Sequence, residues 1–443
     1  MSTRDDRTVE GALRCGAAAV GISPPDDAFP SSFGNPFSGP GGFGGVLHPL
    51  RVSAIAVSDG RNASLILSHD LTTPPFLPEL ADRVGIPEER ILMLGTHTHV
   101  APMFPFFGQP PREDAESERM EAYRRLVAAR TLSASEQALD RLRPARMGYA
   151  TGTSRIARNR NQTYEVRQED GTYETQVGLG VDPDGPTDPT LAVLRFDAED
   201  GVPIAFLANY AVHNIAIGKA GTRFGGLGGM SGDFAALTAQ RLEERFPGSV
   251  ALWTSGAAGD QNPILTGFCF RADPDTGAPV VVPTVDDSTG LAENLAAIHL
   301  HDILCVNRSL RTDRMTGPVA GSARTAVLAA EPVLREGGRI VGYGPAAPWK
   351  IPMQILRIGD VALLGISGEL FSRLGSDLKR ASLFERTLLL THNRIGQGPF
   401  AGYILDDDGM ERMAHGFRQR TRPGEISERL IETMNALAVD VLP

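Results

Sequence analysis

His97-Thr98-His99 follows a short apolar run, Ile91 to Leu94, that closes in Gly95-Thr96. Alternate side chains of an extended strand share a face, so the two imidazoles can point at one metal ion, or at a metal and its substrate. The alternative is a hydrogen-bonded polar network near the surface. Position favours chemistry, because catalytic groups in α/β proteins gather where apolar strands end. Two more residues are placed in the same way. His213 closes the apolar run Ala205 to Val212, and Glu369 leaves the buried-type strand Val361 to Ile366 through Ser367-Gly368. The competing role for Glu369 is a first-turn acid favoured by a helix dipole.

Other tempting patterns carry less. His299 and His301 fall in a stretch read as helix, where residues two apart diverge around the axis, which disfavours joint ligation. The glycine-rich stretch Gly225 to Asp233 lacks a Walker lysine and the G-x-G-x-x-G order after a strand, so it reads as a turn leading into a helix.

The elements that must position these residues follow from apolar periodicity. Val52 to Val57, Ser64 to Leu67, Ile91 to Leu94, Leu191 to Phe196, Ile204 to Ala208 and Val250 to Trp253 read as strands. Ile355 to Ile358 and Val361 to Ile366 flank a Gly359-Asp360 turn and read as a hairpin, with a helix starting near Glu369. Amphipathic helices are predicted over Glu113 to Leu142, Asp233 to Arg245 and Glu425 to Val439. Pro30 to Gly45, dense in Gly, Pro, Ser and Phe, suits an ordered loop over a cleft or a flexible flap. The chain shows no internal repeat, low-complexity linker or composition shift, so residues 1–443 read as one mixed α/β catalytic domain, with a flexible or loop-rich start at 10–45.

A chain of 443 residues, 42% hydrophobic and 22% charged, is long enough to bury a site. Its net charge of -10 gives no electrostatic reason to approach nucleic acid or an anionic membrane. No apolar run reaches membrane-spanning length, and no apolar segment follows the charged N-terminus as a secretory leader requires. Cys15, Cys269 and Cys305 are odd in number and lack C-x-x-C spacing, which favours free thiols in a reducing compartment. A cytoplasmic location is the expectation.

Taken together, a series of blocks resembles the neutral ceramidase family of zinc amidases. They are Cys15 to Pro25, Gly45 to Val57, Thr96 to Pro102, Asn159-Arg160 with Tyr164, Asn209 to His213, Ser231-Gly232-Asp233, Gly259 to Pro263, Gly368-Glu369 and Ala401-Gly402-Tyr403. Their order is collinear over nearly the whole chain. The resemblance implies mixed β-sheets flanked by helices with the metal site at strand ends. It implies Zn2+ held by His97, His213, Glu369 and Tyr403, with His99 and Arg160 around the substrate. Two neutral imidazoles and a carboxylate leave zinc one net positive charge, enough to acidify a bound water and polarise an acyl oxygen. Without the resemblance, Tyr403 reads as a surface-loop tyrosine. Arg160, among Arg155, Arg158 and Arg167, then reads as a solvated loop charge.

The sequence also departs from that family. Asn262 stands where ceramidases carry a serine before proline; an amide can donate to a developing oxyanion but cannot act as a nucleophile. A second tyrosine downstream of Tyr403 is missing, and Ala414-His415 takes its place, with His415 either a polar replacement or a surface residue. The loop His392 to Phe400 is longer, Gly225 to Gly229 is glutamate-poor, and the expectation is a member without the family's C-terminal immunoglobulin-like domain and signal peptide. The reading that results is a zinc-dependent amidohydrolase acting on a small acyl-type substrate other than ceramide. Its rivals are an ester or lactone hydrolase, a non-hydrolytic biosynthetic enzyme on the same fold, and a non-catalytic ligand-binding homologue.

Overall fold

The structure is a computed structural model that describes residues 11–39, 41–104, 115–218, 224–336, 339–344, 347–396, 398–412 and 419–442. Two sheets lie at its centre. The larger has nine strands in the spatial order Val250–Ser255, Pro203–Tyr210, Thr190–Ala198, Arg143–Thr153, Arg14–Gly21, Arg51–Ser58, Ala63–His69, Ile91–Gly95 and Asn393–Arg394. The smaller has four, in the order Val319–Leu328, Trp349–Ile358, Val361–Ile366 and Arg386–Leu390. Both mix parallel and antiparallel pairs, as a sheet buried on both faces can.

Period-two alternation decides which face each residue buries. Ile55, Val57, Leu92 and Leu94 of the large sheet meet Leu356, Ile358, Val361 and Leu363 of the small one, forming a core between sheets. The other face of the large sheet, with Val52, Ala54 and Ala56, packs under the helices Ala115–Asp140, Asp233–Arg245 and Thr289–Ser309. The other face of the small sheet, with Met353, Ile355, Leu364 and Ile366, is covered by Ser372–Ala381 and Glu425–Val441. The result is a helix, sheet, sheet, helix sandwich, in agreement with the mixed α/β expectation. The predicted strands, the Gly359-Asp360 hairpin and the three long helices occupy the expected positions wherever residues are described. Among the described residues no helix is long and apolar enough to cross a membrane, and none of the three cysteines forms a disulfide.

Two expectations are sharpened. Within the start at 10–45, expected to be flexible or loop-rich, Arg14–Gly21 is a strand inside the large sheet, paired with Arg51–Ser58. Its Gly and Ala residues hide the alternation but let the long helix come close: a Cβ on Gly16 would lie 2.2 Å from the Ala138 carbonyl oxygen. The helix after Glu369 begins at Ser372, since Glu369–Leu370 first pairs with Tyr403–Ile404 in parallel.

Candidate metal centre

The strand Ile91–Gly95 ends before the histidine pair, so strand alternation is not what aims the two rings. Instead the chain turns sharply, with His97 at a φ of 61°, a left-handed conformation that costs a non-glycine residue about 1–2 kcal/mol. The turn is stitched by Thr96 N to His69 O at 2.8 Å and His97 N to Leu71 O at 3.0 Å. Thr98 Oγ1 donates to Ser231 O at 2.8 Å, while Asn35 Nδ2 donates to His99 O at 3.0 Å. The rings then meet edge to face with centroids 4.8 Å apart. A strained residue held by several independent bonds marks a place where geometry matters more than local stability.

His213 arrives from the exit of Pro203–Tyr210, its N–H bonded to Gln261 O at 3.0 Å. Glu369 arrives from the small sheet, fixed by its N–H to Gly402 O at 2.8 Å. His97 Nδ1 faces Thr72 O at 2.8 Å, and His213 Nδ1 faces Ala258 O at 2.7 Å. A carbonyl oxygen only accepts, so both Nδ1 atoms carry hydrogen and both Nε2 atoms present lone pairs. These lone pairs lie 3.4 and 3.3 Å from Glu369 Oε2, and His99 Nε2 lies 3.3 Å from His97 Nε2. His213 Nε2 and Glu369 Oε2 are buried without a hydrogen-bond partner.

Acceptors facing acceptors at this range call for a positive charge between them, either a proton or a metal ion. Burial argues against the proton. It pushes His213 down to about 3 and holds His99 and His392 well below the ordinary imidazole value. Burial opposes ionisation of Glu369, yet its neighbours His97 and then His213 hold its carboxyl well below the usual range. Neutral imidazoles and an anionic carboxylate are the metal-binding forms. A tetrahedral zinc with bonds of about 2.0–2.1 Å spaces its ligands about 3.3–3.4 Å apart, which the His97–Glu369, His213–Glu369 and His97–His99 separations match. Two groups of donors have all their ligand atoms within 4.8 Å of one another, His97 with His99 and His213, and His97 with Glu369 and His392.

Arg160, far from being a solvated loop charge, is only 3% exposed on the strand Ala157–Arg167. Its Nε and Nη2 donate to Gly259 O at 3.1 and 2.8 Å, Nη1 donates to Asn262 Oδ1 at 3.1 Å, and Nη2 donates to Tyr403 Oη at 2.9 Å. Asn262 lies on Gln261–Pro263, which pairs with that same strand. The Tyr403 phenol is pushed up by burial and bonds toward Glu369, so it keeps its proton at neutral pH. Asp260 anchors this block by accepting Ser372 N at 2.8 Å and Asn159 Nδ2 at 3.0 Å. Six of the expected site residues besides Glu369 (His97, His99, His213, Arg160, Asn262 and Tyr403) therefore come together around it, while His415 lies outside the described residues.

His392 was not anticipated. Its ring stacks on His97 with centroids 3.7 Å apart, its φ is 54°, and its buried Nε2 has no hydrogen-bond partner. Arg386–Leu390 belongs to the small sheet and Asn393–Arg394 to the large one, so His392 sits where the chain crosses between them. The signal was present: Thr391-His392 leaves an apolar strand as His97, His213 and Glu369 do. His299, by contrast, is a core residue, accepting from Trp253 Nε1 at 3.1 Å on Nε2.

The fold and the cluster together define an α/β sandwich with a buried imidazole and carboxylate site at the strand exits of both sheets. The same fold occurs in the neutral ceramidase from Pseudomonas aeruginosa, which matches 98% of this chain and 75% of its own length with a TM-score of 0.69 and 15% identity. A ceramidase complexed with C2 matches 98% of this chain and 76% of its own length, with a TM-score of 0.66 and 15% identity. No family model matches the sequence, and no curated protein does. The chain thus has the neutral ceramidase fold with a far-diverged sequence.

Proposed function

We propose that the protein is a zinc-dependent hydrolase that cleaves the acyl–nitrogen bond of a small N-acyl substrate. The observation that carries this reading is that His97 Nε2 and His213 Nε2 lie 3.4 and 3.3 Å from Glu369 Oε2, the separation of ligands on a tetrahedral ion, with His213 Nε2 and Glu369 Oε2 orphaned and buried. His97, His213 and Glu369 would hold the ion, with Tyr403 a weak fourth ligand and His99 beside the substrate. When bound, the ion supplies Lewis acidity to a water and to an acyl oxygen.

The chain's own residues do the rest. Arg160 spends its hydrogen bonds on neutral acceptors, so its charge is left to stabilise negative charge developing nearby. Because Asn262 Oδ1 accepts from Arg160, its Nδ2 is the end free to donate to an oxyanion. Tyr403 keeps a proton that can pass to the departing nitrogen. Ceramide is not the favoured substrate, since Asn262 replaces the serine hydroxyl of that family.

The test is metal content together with turnover of paired fluorogenic amides and esters. About one zinc per chain and amide cleavage lost in His97→Ala and Glu369→Ala is the expected result. Zinc-free protein after purification at neutral pH would sink the reading; ester cleavage alone would move the reaction, and inactivity toward both would favour a non-hydrolytic enzyme.

A further inference from the structure

The loop between Ser31 and Phe43 is built to hold one aromatic ring over the cluster. Its ends pair, Ser31 N to Phe43 O at 3.1 Å and Phe43 N to Ser31 O at 2.8 Å. Beyond them Phe43–Val46 lies parallel to Gly228–Met230, which tethers the loop to the segment before the Asp233 helix. Phe33 plugs the base, 1% exposed and edge to face with Phe29 and Tyr123 at 5.7 and 5.6 Å. Gly34, at a φ of 69°, leaves no room for a side chain, since a Cβ there would lie 2.7 Å from Met103 O.

From this base Asn35 reaches the metal loop. Its Nδ2 donates to Ala101 O at 2.6 Å and to His99 O at 3.0 Å, and its Oδ1 accepts from Phe37 N at 2.7 Å. One side chain therefore ties the backbone of His99 to the backbone of Phe37. The Phe37 ring stacks on the His99 ring, centroids 4.8 Å apart and planes 23° from parallel, yet Phe37 stays 48% exposed. A compact loop with packed ends that leaves one large apolar ring half in water beside a polar cluster has the form of a binding loop.

We infer that Phe37 is a specificity-determining residue, whose ring packs against an apolar or aromatic group of the substrate next to His99, with Asn35 its positioning residue. The assignment rests on the zinc hydrolase reading, because that reading places the reacting acyl group at the cluster.

Calorimetric binding of acetohydroxamate and benzohydroxamate to the zinc-loaded protein tests it. Both present the same chelating head group, so their difference reports the apolar wall alone. Benzohydroxamate is expected to bind more tightly. Phe37→Ala should weaken it about tenfold, with acetohydroxamate changed by less than about twofold. Phe37→Leu should restore part of the preference, and Asn35→Ala should lose it as Phe37→Ala does. Equal weakening of both ligands in Phe37→Ala, or no change in either, would overturn the assignment alone. Failure of the wild-type protein to bind either hydroxamate would overturn it together with the zinc reading.

Discussion

His213 Nε2 and Glu369 Oε2 face each other at 3.3 Å, buried, with neither atom hydrogen-bonded. The first residue comes from the large sheet and the second from the exit of the small one, so folding itself forces two acceptors together. This relationship sets opposite signs for one substitution. In metal-free protein, Glu369→Gln places an amide donor against the imidazole lone pairs and should raise stability by about 1–2 kcal/mol. With zinc present the same variant should lose both the ion and the stabilisation of about 2.7 kcal/mol that a hundredfold excess over Kd supplies. Thermal melts with and without chelator read both signs.

Arg160 tests the fork. Lysine keeps the charge but cannot reach Gly259 O, Asn262 and Tyr403 together. Arg160→Lys should lower kcat/KM by about 10²–10³ with zinc content unchanged, as steady-state kinetics and metal analysis would report.

Asn262 separates position from donation. Asn262→Asp retains an acceptor for Arg160 but removes the Nδ2 hydrogens. It should fold with an unchanged melting temperature and lose about 10²-fold in kcat. A kcat within about twofold of wild type would rule out the amide as an oxyanion donor.

His392 stacks on His97 and points an orphaned Nε2 toward the cluster. His392→Phe keeps the stack and deletes the nitrogen, and should weaken zinc about 10–100-fold in a competition titration with a chromogenic chelator. A change within about twofold would make the ring a packing element only.

Acid stability follows from histidines outside the site. Burial pushes His69 down to about 4 and His299 to about 3. Because their folded values lie below the unfolded value near 6.5, the stability they contribute is complete above that pH and is lost as pH falls toward 4 and 3. Each contributes a slope of about 1.4 kcal/mol per pH unit across that window. Denaturant midpoints measured from pH 7 to pH 4 should fall, and His69→Gln should make the fall shallower.

The local elements were largely legible, because each strand or helix buries apolar residues at its own period and the 3.6 or 2.0 spacing survives in the sequence. So did the placement of His97, His213 and Glu369 directly after apolar strands. The strand Arg14–Gly21 was not legible, since alanine and glycine carry no contrast between faces. His392 escaped because its tie to the cluster spans the gap between two sheets.

By itself, then, the sequence determined which side chains stand at strand exits and which residue types could bind a cation. Tertiary structure alone decided that two sheets stack with those exits at one end. That stacking turned the Arg160 charge inward against Asn262 and Tyr403, while the Asn35 bonds between distant backbone segments laid Phe37 on His99. The physical reason is that apolar periodicity is a local property of the chain, whereas the convergence of buried acceptors depends on how separate sheets pack. No spacing within a single segment encodes that packing.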